Sequence, residues 1–361
     1  MTLIDHLLEK IAQLQLTHSS LYPAGMFASQ RFHRWVPYLR EDSNIYFQAL
    51  IAYTLQDCLP TFNTVQQQKA TQIIQRIIQN YALYIGTQSP HLYNFYQTQP
   101  RAHFPNGYFL SKFKHFIPPD DADDTVLIHM TNPKTTIQDA VVVQEFLVKY
   151  ANHSQKKARH ALPKYTHLPA YGVWFGSGKM PIELDICVLC NILCFKIQFN
   201  LPFNKQDEAS VEFIRIAIDS QDIMHKPFSL SSYYPNATVI LYHIARLWHK
   251  FAQPNSHLPT QHIIALIQTQ FKRVKTQFEK MLLNISLLKM KVLPQNGALS
   301  QAQLWQDFNT FPYFIASITY DTPTRWMETI KNHPIMHMYY KNQAYYYALQ
   351  LEHEVFKSLI S

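Results

Sequence analysis

Apolar residues recur at the spacing of an α-helix through most of this chain of 361 residues. In one clear segment, Ile73, Ile74, Ile77, Ile78 and Tyr81 fall on a single face of a predicted helix. The chain has only 7 glycines but 21 prolines. Sheet-rich folds and phosphate-binding loops both use glycine heavily. This balance therefore favours helices joined by compact, proline-containing turns.

The periodicity predicts about eleven or twelve helices and an all-α fold. Besides the segment above, helices are expected near residues 182–198, 208–219, 235–252, 259–290, 300–309 and 339–359. The best candidate strand, at 314–320, is short. Helices in this number, paired by short loops, are typical of an α/α barrel (toroid) or of a large bundle. No low-complexity linker divides the chain, so we expect a single toroid domain over residues 1–361.

Capping residues place the starts of two helices. Thr136 is followed three positions later by Asp139, which is the spacing of a capping box. Thr322 is followed by Pro323, and proline is favoured at the first position of a helix. We therefore expect one helix to begin after Thr136 and another after Thr322.

The composition limits the cellular setting and the classes of partner. No stretch of 18 or more apolar residues is free of charge, so no membrane span is expected. Residues 1–16 predict an amphipathic helix rather than a signal peptide, and the 4 cysteines do not form a secreted disulfide pattern. We expect a cytoplasmic protein. Its net charge of +8 allows peripheral contact with an anionic membrane, but no nucleic-acid-binding motif is present, so we expect no nucleic-acid partner.

Four aspartates are concentrated in five positions: Asp120, Asp121, Asp123 and Asp124, here called the aspartate cluster. Two prolines precede the cluster and an apolar run follows it, so we expect it at a helix N-terminus. Aspartate caps helices, and the helix dipole stabilises carboxylates in the first turn. Capping explains one or two of these residues. Four like charges repel one another, which points to a metal site or an acid catalyst.

One interpretation of the cluster is a magnesium site. The spacing of Asp120, Asp121 and Asp124 resembles the DDxxD motif of class I terpene synthases. That resemblance implies that the three carboxylates hold magnesium and a substrate diphosphate, and hard divalent cations do favour carboxylate oxygens. The second metal-binding motif of that class, with Asn, Ser and Glu on another helix, is not found in this sequence.

The interpretation we favour is an acid catalyst. The string from Asp121 to Thr125, D-A-D-D-T, resembles the DxDD(T) motif of class II terpene cyclases. The resemblance implies an α/α barrel and a protonation-initiated cyclisation of an isoprenoid. Asp123 would be the general acid, and Asp121 and Asp124 would tune it. No cofactor is implied, although magnesium would accompany a diphosphate-bearing substrate. Known members commonly use two such domains, so a single toroid could be a reduced cyclase, could need a partner domain or a homo-oligomer, or could have lost catalysis.

This chemistry requires a carboxyl group that keeps its proton. Crowded carboxylates in an apolar site cannot all ionise, so one of them stays protonated. Aromatic faces could then stabilise the carbocation that forms. The chain is 14% aromatic, which allows such a site.

Further residues are candidates for the wall of a substrate site. Two polar residues of an apolar predicted helix, Asp185 and Asn191, could lie opposite Asp123, or Asp185 could cap that helix. Trp174 belongs to a glycine-containing segment, residues 172–181, that could form the rim of a cavity. The remaining candidates, which could edge an aromatic pocket, are Tyr234, Tyr242 and Arg246.

Cysteine spacing does not support a zinc site. Cys187, Cys190 and Cys194 share one helix face, but the outer two are about 10 Å apart along the axis. We expect buried thiols that pack against a neighbouring helix.

Several functions remain open at the level of sequence. The main alternative to a cyclase is a non-catalytic toroid that binds a lipid or a protein. A class I synthase ranks third, and a carbohydrate-active α/α barrel with paired carboxylates ranks fourth.

Overall fold

The computed structural model describes residues 2–17, 19, 21–101, 118–158, 161–176, 182–251, 257–295, 300–311, 313–317, 330 and 333–360. Helices dominate these residues. They are α1 (Leu3–Leu14), α2 (Tyr46–Cys58), α3 (Thr64–Ile78), α4 (Ala122–Thr131), α5 (Ile137–Lys149), α6 (Ile186–Gln198), α7 (Lys205–Asp219), α8 (Asp222–His225), α9 (Pro227–Leu230), α10 (Ala237–Lys250), α11 (Thr260–Arg273), α12 (Gln277–Lys289), α13 (Gln301–Thr310) and α14 (Gln343–Ser358).

Six helices pack against one another in a closed cycle. Helix α2 packs against α4, α4 against α6, α6 against α10, α10 against α12, α12 against α14, and α14 returns to α2. We call these six the central helices. The helices that alternate with them along the chain pack on the outside of the cycle: α1 on α14, α3 on α2, α5 on α4, α7 on α6, α11 on α10 and α12, and α13 on α12.

Burial separates the two sets of helices. All residues of α4 are buried, as are Ile186–Lys196 of α6 and Ala237–Trp248 of α10. By contrast, α1 buries only Leu7, Leu8 and Ile11. The central helices are thus apolar around most of their circumference, whereas the outer helices carry the single apolar face that the periodicity predicts. The buried apolar side chains form one connected core.

Side-chain contacts orient the central helices. Tyr46, the first residue of α2, packs against Tyr234, which lies just before α10. At the opposite end, Gln56 of α2 donates to the carbonyl of Thr131 at 2.9 Å, and Gln198 of α6 donates to that of Met130 at 2.7 Å. The first turns of the central helices therefore gather at one end of the cycle, here called the amino end, and their last turns gather at the carboxyl end.

The helical character predicted from the periodicity is confirmed, and two small sheets accompany the helices. A four-stranded antiparallel sheet has the order β2 (Tyr38–Glu41), β1 (Ser29–His33), β6 (His337–Asn342) and β5 (Phe314–Ser317). A second sheet pairs β3 (Asp120–Asp121) with β4 (Trp174–Phe175). The helix predicted at 339–359 therefore begins as strand β6. The candidate strand 314–320 is confirmed over β5, and its remaining residues lie outside the described part.

Three more local predictions can be compared with the structure. The cap at Thr136 is confirmed, because its hydroxyl accepts from the backbone of Asp139 and the Asp139 carboxylate accepts from Thr136. The helix predicted over residues 259–290 is divided into α11 and α12 by an extended residue, Val274. The start predicted after Thr322 lies outside the described residues. Within the described part of the chain, no helix is both long enough and apolar enough to cross a lipid bilayer.

Candidate functional site

The aspartate cluster opens helix α4 at the amino end, as its sequence predicts. Asp121 is the N-cap, and its Oδ1 accepts from the backbone nitrogens of Asp123 at 2.6 Å and Asp124 at 3.1 Å. The Thr125 hydroxyl donates to the Asp121 carbonyl at 2.5 Å. Strand β3 ties Asp121 to Trp174 on β4. Of the four carboxyl groups in the cluster, that of Asp121 therefore caps the helix.

Asp120 stabilises a turn outside helix α4. Its carboxylate accepts from the backbone nitrogens of Thr87 and Gln88, both at 3.1 Å, and from the Asn94 side chain at 3.4 Å. A Cβ at Gly86 would come within 2.6 Å of this carboxyl group, so only glycine leaves it room. Asp120 thus has a complete structural role.

The three proposed magnesium ligands, Asp120, Asp121 and Asp124, do not form one site. Asp120 is held by backbone amides and Asp121 caps its own helix, so the two carboxylates serve separate turns. Within the described residues, no three His, Cys, Asp or Glu side chains are placed to hold one metal ion. The DDxxD spacing therefore does not bring its three aspartates together in this structure.

Asp123 lies at the centre of the candidate site. Its Oδ1 accepts from Asn191 Nδ2 of α6 at 2.6 Å, and its Oδ2 accepts from the Tyr234 hydroxyl. The side chain is only 4% exposed. Burial raises the pKa of Asp123, although the two hydrogen bonds and the charge of Arg246 oppose the rise. The structure thus joins Asp123, Asn191 and Tyr234, three of the residues selected from the sequence.

Asp124 is buried beside this group without any hydrogen bond. Neither of its carboxyl oxygens has a partner, and the side chain is 1% exposed. Burial, followed by the charges of Asp121 and Asp123, raises the pKa of Asp124 well above its usual range. Burial and the charge of Asp123 also raise the pKa of Asp121, to about 8. The first turn of α4 therefore holds carboxyl groups that favour the protonated form.

Asp185 caps α6, which confirms one of its two predicted roles. Its Oδ1 accepts from the backbone nitrogen of Cys187 at 2.9 Å, and its Oδ2 accepts from the Ser231 hydroxyl at 2.7 Å. Burial raises the pKa of Asp185 to about 7, against the effect of these hydrogen bonds. Asp185 therefore belongs to the amino end but does not contact Asp123 through a hydrogen bond.

Aromatic rings surround the hydroxyl group that contacts Asp123. The ring of Tyr234 lies 5.9 Å from that of Tyr46, 5.6 Å from Phe314, 6.4 Å from Tyr313 and 5.1 Å from His243. Sequence reasoning did not select these four as site residues. Their positions depend on pairings between distant segments, and the local sequence around each is that of an ordinary core.

Trp174 lies at the edge of the site. It is half-buried on β4, where its backbone pairs with Asp121, and its ring meets that of Tyr233 edge-on at 5.7 Å. Lys179, from the same glycine-containing segment, lies outside the described residues. The structure therefore places Trp174 beside the aspartate cluster, where its pairing with Asp121 fixes the start of α4.

Tyr242 and Arg246 lie within α10, whereas Tyr234 precedes that helix, so the three residues predicted to edge one pocket do not lie together. The Tyr242 hydroxyl donates to Glu352 at 2.6 Å. The Arg246 guanidinium lies over the ring of Tyr53, 4.4 Å from its centre, and 5.5 Å from that of Tyr242. Only Tyr234 of the three predicted residues contacts Asp123.

The cysteines of α6 are buried and reduced, as their spacing predicts. Cys187, Cys190 and Cys194 are free thiols with at most 1% exposure. Burial raises the pKa of each thiol. Their burial agrees with the expectation that they pack as thiols in the core.

The amino end therefore holds buried carboxyl groups whose pKa values are raised, next to a group of aromatic rings. Such a site can deliver a proton to an apolar molecule while water is excluded. Comparison of the chain with protein-family models, with curated proteins and with solved structures finds no match.

Proposed function

We propose that the central helices are the inner ring of an α/α toroid formed by a single domain. The closed packing cycle supports this architecture, because six helices each contact two neighbours and the last returns to the first. The alternation of buried and half-buried helices along the chain also supports it. In such a ring the first turns of the inner helices surround one opening, where a substrate site can form.

We infer that the protein cyclises an isoprenoid by protonation, in the manner of the class II terpene cyclases that its D-A-D-D-T string resembles. One observation carries the proposal: Asp123 is buried, its pKa is raised, and it is held by Asn191 and Tyr234 among aromatic rings. Protonating an alkene requires a strong acid that is kept neutral and away from water. Asp123 meets those requirements better than any carboxyl group placed on the surface.

The hydrogen bonds select which oxygen of Asp123 carries the proton. Asn191 donates through its amide nitrogen to Oδ1, so Oδ1 serves as the acceptor. The proton of the neutral acid then lies on Oδ2, next to the Tyr234 oxygen. Tyr234 would turn its own hydrogen away when Oδ2 is protonated. Substrate would approach Oδ2, since Oδ1 faces α6.

The neighbouring carboxyl groups and rings would assist this reaction. The charge of an ionised Asp123 raises the pKa of Asp121 and Asp124, so the buried first turn of α4 would carry one negative charge rather than three. After proton transfer, the faces of Tyr46, Tyr234 and Phe314 would lie near the cation. Trp174 would form part of the rim. Magnesium has no role in the proton transfer and would serve only to bind a substrate diphosphate.

The test is a product assay with the purified chain. The protein is incubated with geranylgeranyl diphosphate, and separately with shorter and longer isoprenoids, and the products are identified by mass spectrometry. We expect wild type to form a cyclised product from one of these isoprenoids, and that product should retain the polar head group of its substrate. Asp123→Asn should reduce its formation by about 100-fold or more, because general acid catalysis contributes that much. Asp219→Asn, at an exposed carboxylate, is the matched control and should retain activity.

Three outcomes of the assay would reject the proposal. A product formed with release of diphosphate would indicate ionisation by a class I mechanism. Equal activity in Asp123→Asn would remove Asp123 from the reaction. The absence of product from every substrate, in protein whose helical content is verified by circular dichroism, would favour the non-catalytic toroid that binds a lipid or a protein.

A further inference from the structure

Arg246 is a buried cation whose terminal nitrogens have no hydrogen-bond acceptor. It is 3% exposed, and neither Nη1 nor Nη2 has a partner. The other buried cations of the described residues are all paired: Arg31 with Asp42, Lys196 with Asp207, and Lys289 with Asp57 and Glu352. Removing a charge from water without pairing it is strongly unfavourable. A role other than stability is therefore needed to account for Arg246.

The surroundings of Arg246 offset only part of this unfavourable burial. The rings of Tyr53 and Tyr242 provide cation–π contacts at 4.4 and 5.5 Å. The nearby carboxylates are already occupied: Glu352 binds Lys289 and Tyr242, and Asp123 binds Asn191 and Tyr234. The neutral Tyr53 hydroxyl also lies beside the guanidinium, so what the described part of the chain does not supply to Arg246 is an anion.

We propose that Arg246 binds the carboxylate of an apolar ligand. Two free terminal nitrogens of a guanidinium match the two oxygens of a carboxylate in a planar, bidentate contact. The interior offers a single unpaired positive charge among the described residues, which balances one negative charge. A diphosphate carries more charge than this site neutralises. The ring faces of Tyr53 and Tyr242, which flank Arg246, provide apolar surface for a hydrocarbon chain.

The position of Arg246 supports a ligand that extends along the helix axis. Arg246 lies nine residues after Ala237, the first residue of α10, and therefore roughly 13 Å along that helix. Asp123 lies in the first turn of α4 at the amino end. A chain whose carboxylate contacts Arg246 would run towards Asp123 through the interior of the ring. His243, between the two, is neutral because burial and Arg246 lower its pKa to about 3.

The test measures binding without turnover, so an inactive protein can still pass it. Isothermal titration calorimetry compares farnesoic acid with farnesol, which has the same chain and no charge, and with farnesyl diphosphate. We expect wild type to bind the acid at least about tenfold more tightly than the alcohol, and more tightly than the diphosphate. Arg246→Met should remove the difference between acid and alcohol. Arg246→Lys keeps the positive charge but loses the two-nitrogen geometry of the guanidinium, so it should retain part of the difference in affinity between acid and alcohol.

A second readout separates binding from structure. If Arg246 is retained for a ligand, Arg246→Met should raise the melting temperature of the ligand-free protein, because an unpaired charge is replaced by an apolar side chain. Arg215→Met, at an exposed arginine, is the control and should change neither property. The proposal fails if wild type does not distinguish acid from alcohol, does not bind the acid, or prefers the diphosphate. A lower melting temperature of Arg246→Met with unchanged acid binding would make Arg246 structural.

Discussion

Buried carboxyl groups lie at both ends of the central helices, and their surroundings differ. At the amino end, Asp121, Asp123, Asp124 and Asp185 form no ion pair with any Lys or Arg of the described residues. At the carboxyl end, Asp57 contacts Lys289 at 2.6 Å and Lys250 at 3.2 Å. Burial raises the pKa at the amino end. Burial acts in the same direction on Asp57, but the lysines outweigh it and hold its pKa well below the usual range.

Burial and nearby cations, rather than helix dipoles, therefore set the pKa of the buried carboxyl groups at the two ends. The dipole favours ionised groups at helix N-termini and disfavours them at C-termini. The pKa values move in the opposite sense at each end. A helix dipole contributes at most about 2 kcal/mol, whereas burial or a close cation can exceed that amount. The amino end is therefore arranged to hold neutral acids, and the carboxyl end to hold ion pairs.

The largest expected effect is at the carboxyl end. Lys289→Met leaves Asp57 and Glu352 buried without their main cation, because Lys289 is 1% exposed and contacts both. Breaking a buried pair from one side destabilises by about 3–5 kcal/mol. Urea denaturation should show that loss. Lys250→Met is the control and should have a smaller effect, since Lys250 is 29% exposed. A change below about 1 kcal/mol for Lys289→Met would show that the carboxyl end does not depend on its ion pairs.

The second prediction uses pH to compare the ends. Asp185, with a pKa of about 7, binds more protons in the folded than in the unfolded protein between about pH 4 and 7. Its contribution to stability is therefore complete below about pH 4 and is lost as pH rises to about 7. The lowered pKa of Asp57 has the opposite sign, and its contribution is lost only in strong acid. From about pH 5 to 7 the contribution of Asp185 should fall by on the order of 2 kcal/mol, while the lowered pKa of His243 acts in the opposite sense.

Denaturant titrations at about pH 5 and 7 check this prediction. Asp185→Asn retains the ability to cap α6 but cannot ionise, so its stability relative to wild type should increase by about 2 kcal/mol between these two pH values. A difference between the two proteins that does not change with pH would contradict the raised pKa of Asp185.

The sequence predicted the helical parts of this structure because the signal is local. Apolar spacing located the outer helices, and Thr136 with Asp139 located the start of α5. Apart from β5, the four-stranded sheet was missed, because its strands are short and pair across the chain, as in Arg31 with Tyr340. Pairing over such distances leaves little pattern within either segment. The residues after 339 therefore looked helical, although the chain enters α14 only at Gln343.

The candidate site was predicted only where its signal is local. Asn191 was selected because a polar residue in an apolar helix needs a partner, and it contacts Asp123. The sequence could not separate Asp120 from its neighbours, because that distinction depends on the backbone of Thr87 and Gln88. Tyr242 and Tyr234 looked equivalent until the fold placed one beside Glu352 and the other beside Asp123.

Tyr242 and Tyr234 provide smaller tests of the difference between the ion-paired and the unpaired carboxyl groups. Tyr242→Phe removes a hydroxyl that donates to Glu352 at 2.6 Å, in a buried group that also includes Lys289. A hydrogen bond to a charged group contributes about 1.5–3 kcal/mol, so we expect destabilisation in that range. Urea denaturation measures it, with Tyr22→Phe as control, because the Tyr22 hydroxyl donates only to a backbone carbonyl. Equal losses in both variants would indicate that the charge of Glu352 does not strengthen its hydrogen bond with Tyr242.

The smallest expected effect is at Tyr234. Its hydroxyl stabilises the ionised form of Asp123, so Tyr234→Phe should raise the pKa of that carboxyl further. A change of about one pKa unit, equivalent to about 1.4 kcal/mol, is the scale to expect. Infrared spectroscopy can follow the carbonyl band of the protonated acid through a pH titration, with Asp123→Asn used to assign it. Any loss of stability in Tyr234→Phe should grow as pH rises, because the interaction that is removed is with the ionised form of Asp123. A lower titration midpoint in Tyr234→Phe would instead mean that the hydroxyl stabilises the neutral acid, and that the proton on Oδ2 is shared with Tyr234 before it reaches a substrate.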